Sequence, residues 1–151
     1  MTDPSTNSAG AAAARFADVE VGTELPAQRF AVTRRNLVQY CGASGDFNPI
    51  HWSERTAKAV GLPDVIAHGM FTMAQAARVI TDWVGDPAAV VEYSVRFSTM
   101  LVVPDDDRGS ALDVSGVVTE KLDGDRVRVE LTARGPESKV LTQARAVVQL
   151  G

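Results

Sequence analysis

The chain has 151 residues, 45% of them apolar and 23% charged, which is ordinary for one globular domain large enough to bury a core. Its net charge of -4 argues against a nucleic-acid surface or an anionic-membrane surface. A single cysteine, Cys41, excludes an internal disulfide framework and a thiolate metal cluster, so a reducing, cytoplasmic setting is expected.

The first stretch, MTDPSTNSAGAAAARF, carries Asp3 and Pro4 in place of a basic n-region, and its alanines are too small for a signal-peptide core. Residues 1–15 are expected to be a disordered tail, and residues 16–151 a single domain. No apolar run approaches the roughly 20 residues of a membrane span. TELPAQRFAV predicts a first strand, and Thr33 a cap for a short helix from Arg34 to about Ala43 with Leu37, Val38 and Cys41 at helical spacing. Gly45 ends that helix, and Ser53 caps a second one over ERTAKAVG.

HGMFTMAQAARVITDWVG follows. Its apolar residues cover most of a helix circumference, which predicts a helix buried on all sides. Met70, Met73 and Ala77 share one of its faces and read as ordinary core packing. After it the pattern changes to period two, with Val91, Tyr93, Val95 and Phe97 expected on one face. Strands are predicted through SALDVSGVVTEKL, RVRVELTAR and KVLTQARAVVQL, with LDGDR a tight Asp-Gly hairpin and RGPESK the next connection. One buried helix followed by an antiparallel meander is an α+β layout whose sheet must wrap the helix.

Between the first two helices lies YCGASGDFNPIH, Tyr40 to His51. Gly45 and Pro49 exclude a continuous helix there, so Asp46 to His51 form an irregular loop. Taken singly, Asp46 and Asn48 suit Asx turns, and His51 suits a satisfied structural histidine. Taken together, an acid and a base five residues apart on a bent segment can converge on one small ligand as a proton donor and acceptor. Cys41 reads as a small core residue and Tyr40 as packing. His68 precedes Gly69 and reads as loop shaping. Two histidines without a third partner make a weak ligand set, so no metal is expected.

These residues carry a family resemblance. YCGASGDFNPIHWSE resembles the hydratase motif of the MaoC-like, (R)-specific enoyl-thioester hydratases, and AHGMFTM resembles the start of their central helix. The resemblance runs from about Phe16 to Leu150. SGDFNPIHW, GLPDVIAHGMFTM and WVGDPAAVVEYSVRF look most like the catalytic β subunit of actinobacterial (3R)-hydroxyacyl-ACP dehydratases of type II fatty-acid synthesis.

The resemblance implies a hot-dog fold, an antiparallel sheet curled round one long helix, with an active site at a dimer interface. It also implies reversible syn elimination and addition of water between a (3R)-3-hydroxyacyl thioester and its trans-2-enoyl partner, with no cofactor. That chemistry makes three demands. The enolate-like oxygen formed on loss of the α-proton needs donors, which backbone N–H groups at a helix N-terminus supply, and Gly69 allows close approach there. The α-proton needs a base, a role that suits His51 in dehydration. The departing hydroxyl needs an acid, and Asp46 in that role must hold its proton near neutral pH, which burial favours. Which of the two is acid and which base stays open. Asn48 can orient Asp46 or a water, and Ser44 can bond the loop backbone.

The partners implied are an acyl-ACP or acyl-CoA thioester and a second hot-dog chain, identical or related. If the helix face at Met70, Met73 and Ala77 is core, a long acyl tail must cross into that second chain. Two other readings compete. One is a stand-alone homodimeric (R)-specific enoyl-CoA hydratase. The other is a non-catalytic acyl-binding subunit, which is expected to have lost Asp46 or His51, whereas this chain has both.

Overall fold

The strand β1 (Glu24–Val32) leads directly into helix α1 (Arg34–Ser44), and the junction is fixed by a reciprocal cap at Thr33. The Thr33 hydroxyl accepts from the Asn36 N–H, while the Asn36 side chain accepts from the Thr33 N–H. At the other end Gly45 adopts the left-handed conformation, φ 75°, and its N–H bonds the Cys41 carbonyl. This computed structural model describes residues 13–151, so most of the expected N-terminal tail lies outside the described residues.

A 3-10 turn over Pro49–His51 and a short helix α2 (Glu54–Ala59), capped by the Ser53 hydroxyl, precede the long helix α3 (Gly69–Val84). Four strands follow: β2 (Val90–Phe97), β3 (Ser110–Leu122), β4 (Arg126–Arg134) and β5 (Lys139–Gln149). They form one antiparallel sheet with β1, in the order β1-β3-β4-β5-β2. The β3–β4 hairpin closes over Asp123-Gly124-Asp125, with Gly124 and Asp125 both at positive φ.

Register shifts interrupt all four pairings. At one of them Gln143 takes the left-handed conformation, φ 49°. Each bulge adds local twist and bends the sheet, so its inner face curls over α3. Phe71, Ala76, Val79, Ile80 and Val84 of α3 meet Leu112, Val114, Val129, Leu131, Ala146 and their neighbours in one apolar core.

Two expectations are corrected. The helix α3 is not buried on all sides. Met70, Ala74, Arg78 and Asp82, four residues apart, form an exposed stripe, and Met73 and Ala77 beside it are only half-buried. The reason is geometric: one five-stranded sheet covers a single side of a helix. Arg78 and Asp82 reach back to β1, where the Arg78 guanidinium lies 4.8 Å from the Phe30 ring centre and Asp82 accepts from Gln28. Nor does β2 keep strict alternation. Bulges between Val90 and Glu92 and between Ser94 and Arg96 shift the pattern, so Val90, Tyr93 and Val95 pack on the core while Val91 and Phe97 are half exposed.

Tyr93 ties β2 to α3, donating its hydroxyl to the Met73 carbonyl at 2.9 Å. Burial pushes that hydroxyl up to about 12, against an ordinary value of 10.0. Because the folded value is the raised one, the contribution is fully present below pH about 10 and is lost as pH rises toward 12. The melting temperature of the wild type is therefore expected to fall more steeply across that window than that of Tyr93→Phe. Equal slopes in the two proteins would contradict the assignment.

Candidate active site

The loop after α1 is built from side-chain to backbone hydrogen bonds. The Ser44 hydroxyl donates to the Tyr40 carbonyl at 2.7 Å and accepts from the Asp46 N–H at 3.1 Å. The Asp46 carboxylate accepts from the Asn48 N–H at 3.1 Å, and the Asn48 side-chain oxygen accepts from the Ile50 N–H at 3.3 Å. These are two successive Asx turns, the second also capping the 3-10 turn that holds His51. The structural and chemical readings of the loop therefore coexist, since the same bonds that shape it also fix where Asp46 and His51 stand. Asn48 holds Asp46 through its backbone N–H, while its side-chain oxygen serves the turn.

His51 is buried, and its Nδ1 lies 2.7 Å from the Ile66 carbonyl oxygen. A carbonyl can only accept, so Nδ1 carries the hydrogen and Nε2 keeps its lone pair. That is the tautomer of a general base. Ile66 is itself held from both sides, donating its N–H to the Ile50 carbonyl at 3.3 Å and bridging to Val102. Farther out, Arg34 anchors α1 by pairing with Asp64 at 2.7 Å and donating to the Val103 carbonyl.

His68, read from the sequence as loop shaping, bonds the loop and also touches His51. It is 2% exposed, and its ring stacks on His51 with centroids 3.8 Å apart. Its Nε2 lies 3.1 Å from the Asp46 carbonyl oxygen. Burial holds the imidazole below its ordinary value, partly offset by that hydrogen bond. Cys41 sits beside it, Sγ 3.7 Å from Nε2, and burial together with the Asp46 charge pushes the thiol up, so it stays an uncharged core group. The signal available in the sequence was that His68 is the second of only two histidines and directly precedes the N-terminus of α3.

Two site expectations are corrected. Asp46, Asn48 and Ser44 are exposed in this protomer, so the burial expected to favour a protonated Asp46 is not provided by this chain alone. The loop leaves the body at Gly45 and returns only at Pro49, which puts its acidic tip outward. The two histidines also do have a third partner, because one potential ligand atom each from Asp46, His51 and His68 lie within 4.8 Å of one another.

Gly69 is the first residue of α3, and among the described residues no side chain caps that end of the helix. The N-terminus opens on a groove lined by His51, Thr72, Phe97, Met100 and Val140. The Phe97 ring lies over Gly69, so close that a Cβ there would stand 3.1 Å from it. Gly69 therefore makes room for an aromatic wall as well as for anything that approaches the helix end. The site thus combines a base-competent histidine, a nearby carboxylate and uncapped amide donors.

The family model described as MaoC like domain matches residues 13–139. The chain belongs to this family. Over 79 residues, 52% of the chain, it is 40% identical to 3-hydroxyacyl-thioester dehydratase X of Mycobacterium tuberculosis, of which it spans 27%. A solved MaoC-like dehydratase superposes on 94% of the chain with a TM-score of 0.87 and 39% identity, the chain spanning 43% of that structure. The R-hydratase PhaJ1 from Pseudomonas aeruginosa, in its unliganded form, matches over 90% of the chain and 84% of its own length, with a TM-score of 0.78 and 25% identity. The chain thus spans about a quarter of the mycobacterial relative and less than half of the first structure. The curled sheet with α3 against it is the hot-dog fold of these MaoC-like neighbours. Among the described residues no helix is long and apolar enough to cross a membrane.

Proposed function

We propose that this MaoC-like chain is a hydro-lyase interconverting (3R)-3-hydroxyacyl thioesters and trans-2-enoyl thioesters. The observation that carries the reading is the meeting of His51, with its hydrogen committed to Ile66, and Asp46 beside the uncapped N-terminus of α3. In dehydration the base takes the proton from C2, and negative charge moves onto the thioester oxygen. The free N–H groups at Gly69 hold that oxygen. The acid protonates the C3 hydroxyl, which leaves as water as the C2–C3 double bond forms. Hydration is the reverse, with the pair polarising the attacking water. The Nδ1 contact with Ile66 supports His51 as the base in this reading, with Asp46 as the acid.

The exposure of Asp46 bears on the partners. A carboxylic acid that must keep its proton needs a dry setting, and here the bound thioester and a second hot-dog chain would supply it. Around the site stand the exposed apolar side chains Phe47, Trp52, Met70, Phe97 and Met100, and among the described residues the outer edge of β2 has no partner strand. An unpaired strand edge beside an apolar surface suits pairing with a second chain, identical or related. The likeness to 3-hydroxyacyl-thioester dehydratase X supports dehydration of a 3-hydroxyacyl thioester, and within that reading we place the chain as the catalytic subunit of a fatty-acid elongation dehydratase acting on acyl-ACP in the cytoplasm.

The test is hydration of crotonyl-CoA and of the corresponding enoyl-ACP, before and after dialysis against EDTA. Turnover with either carrier, unchanged by EDTA, is expected. Loss of turnover on EDTA treatment, restored by a divalent metal, would reassign Asp46, His51 and His68 as metal ligands. Absence of turnover with both carriers, at a protein concentration where a dimer forms, would favour the non-catalytic acyl-binding reading.

A further inference from the structure

We propose that His68 is a positioning residue of this site, one that fixes both members of the acid–base pair while taking no proton itself. The inference rests on the hydro-lyase reading for its kinetic part and on geometry alone for the rest. The Asp46 carbonyl oxygen, 3.1 Å from Nε2, can only accept, so Nε2 carries the hydrogen of His68. That bond ties the tip of the acidic loop to the start of α3, across 22 positions of sequence. The flat side of the same ring is stacked on His51 at 3.8 Å with an interplanar angle of 24°. Its other neighbour is Tyr40, whose ring centroid lies 4.7 Å away. His68 is thereby clamped between α1 and the 3-10 turn, and one ring sets the place of the loop and of the base together.

The remaining nitrogen, Nδ1, is buried and has no hydrogen-bond partner among the described residues. A bare lone pair there is tolerable, whereas a second N–H would be a buried donor with nothing to meet. Protonation of His68 is thus opposed by the cavity it occupies. The groups that face it are His51, the Asp46 carboxyl, the Cys41 thiol and the Tyr40 ring, and burial outweighs the Asp46 charge in setting its state. A neutral ring in that place matters for the chemistry. When His51 takes the substrate proton it becomes a cation, and a stacked neighbour that also carried charge would oppose it by like-charge repulsion.

Two substitutions separate the contributions. His68→Phe keeps the flat ring and removes the donor. His68→Gln keeps an N–H donor near the Nε2 position and removes the ring. A misplacement of about 1 Å in a reacting group can cost about 10²-fold in rate, so His68→Phe is expected to lower kcat by that order with KM and the melting temperature nearly unchanged. His68→Gln is expected to recover most of that loss. Because His68 carries no charge in the working range, neither variant is expected to move the acid limb of the kcat–pH profile. Wild-type kcat in His68→Phe, a parallel fall of melting temperature without rescue by Gln, or a displaced acid limb would each overturn the proposal. Nitrogen-15 spectra of the imidazoles in the wild-type protein give a readout independent of turnover. They are expected to show His68 as the neutral Nε2–H form at pH 7 and above, since burial holds it below its ordinary 6.5. An Nδ1–H tautomer or an imidazolium there would overturn the assignment even in an active enzyme. Wild-type protein that shows the expected spectra but hydrates no enoyl thioester would defeat the hydro-lyase reading and leave the geometry of His68 standing.

Discussion

Replacing Asp46 by Asn or His51 by Asn is expected to lower enoyl-thioester hydration by about 10² to 10⁴-fold, the usual contribution of a general acid or base. The structure tells which substitutions keep the fold. Asp46 is exposed, and the side-chain oxygen of Asn at that position still accepts from the Asn48 N–H, so the Asx turn survives. His51 is buried, and Ala there would leave a hole and an unpaired Ile66 carbonyl. Asn is the better probe, because its amide N–H can replace Nδ1–H toward Ile66 while offering no basic nitrogen. Rates and thermal melting measured side by side give the answer. Melting within a few degrees of wild type with turnover lost supports the pair, and near wild-type turnover in either variant contradicts it.

The second large effect is expected at Gly69, where two substitutions distinguish room from hydrogen bonding. Gly69→Ala adds a methyl group 3.1 Å from the Phe97 ring, and that ring is half exposed and free to give way. The N–H of residue 69 remains. Gly69→Pro removes the N–H at the first position of a helix, where proline is well tolerated. His68 before it has φ -60° and ψ 134°, a conformation that proline accepts in its predecessor. Loss of one oxyanion donor lowers kcat by about 10² to 10³-fold in enzymes that use one, so Gly69→Pro is expected to fall that far below Gly69→Ala. Steady-state kinetics on crotonyl-CoA, with circular-dichroism melts of both variants, test this. Equal kcat in the two folded proteins would remove the Gly69 N–H from the mechanism.

The part of the molecule legible in the sequence is the part governed by local rules. Thr33, Gly45 and Ser53 mark helix ends because caps depend on a residue and its near neighbours, and the structure places all three at helix ends. Period two over residues 110–149 is legible because each strand presents one face to one core. Two features depend on what packs from elsewhere and were misjudged for that reason. Met70 and Ala74 look like core in sequence and are exposed because the sheet reaches only one side of α3. Val91 and Phe97 look like inward strand residues and are turned out by bulges that no local pattern announces.

The closeness of Asp46 and His51 was legible because they share a short loop with Gly45 and Pro49. The place of His68 was not, since its meeting with His51 and Asp46 is made by tertiary packing between α1, the 3-10 turn and the start of α3. The Phe97 wall over Gly69 was missed for the same cause. With Met70 exposed, the helix face at Met70, Met73 and Ala77 is also released from the core role first read for it. It is surface on which a substrate tail or a second chain can lie.

The central claim is that Asp46 and His51 act together from one loop on one face of the substrate, and stereochemistry tests it most directly. One potential ligand atom of Asp46 and one of His51 lie within 4.8 Å of each other, and an acid and a base that close deliver both parts of water to the same face of the double bond. Crotonyl-CoA hydrated in D₂O by the protein should therefore give 3-hydroxybutyryl-CoA with deuterium at C2 added syn to the hydroxyl, and the proposed reaction makes C3 (3R). Deuterium added anti would require acid and base on opposite faces and would contradict the site described, whereas a (3S) product formed by syn addition would contradict only the (3R) assignment.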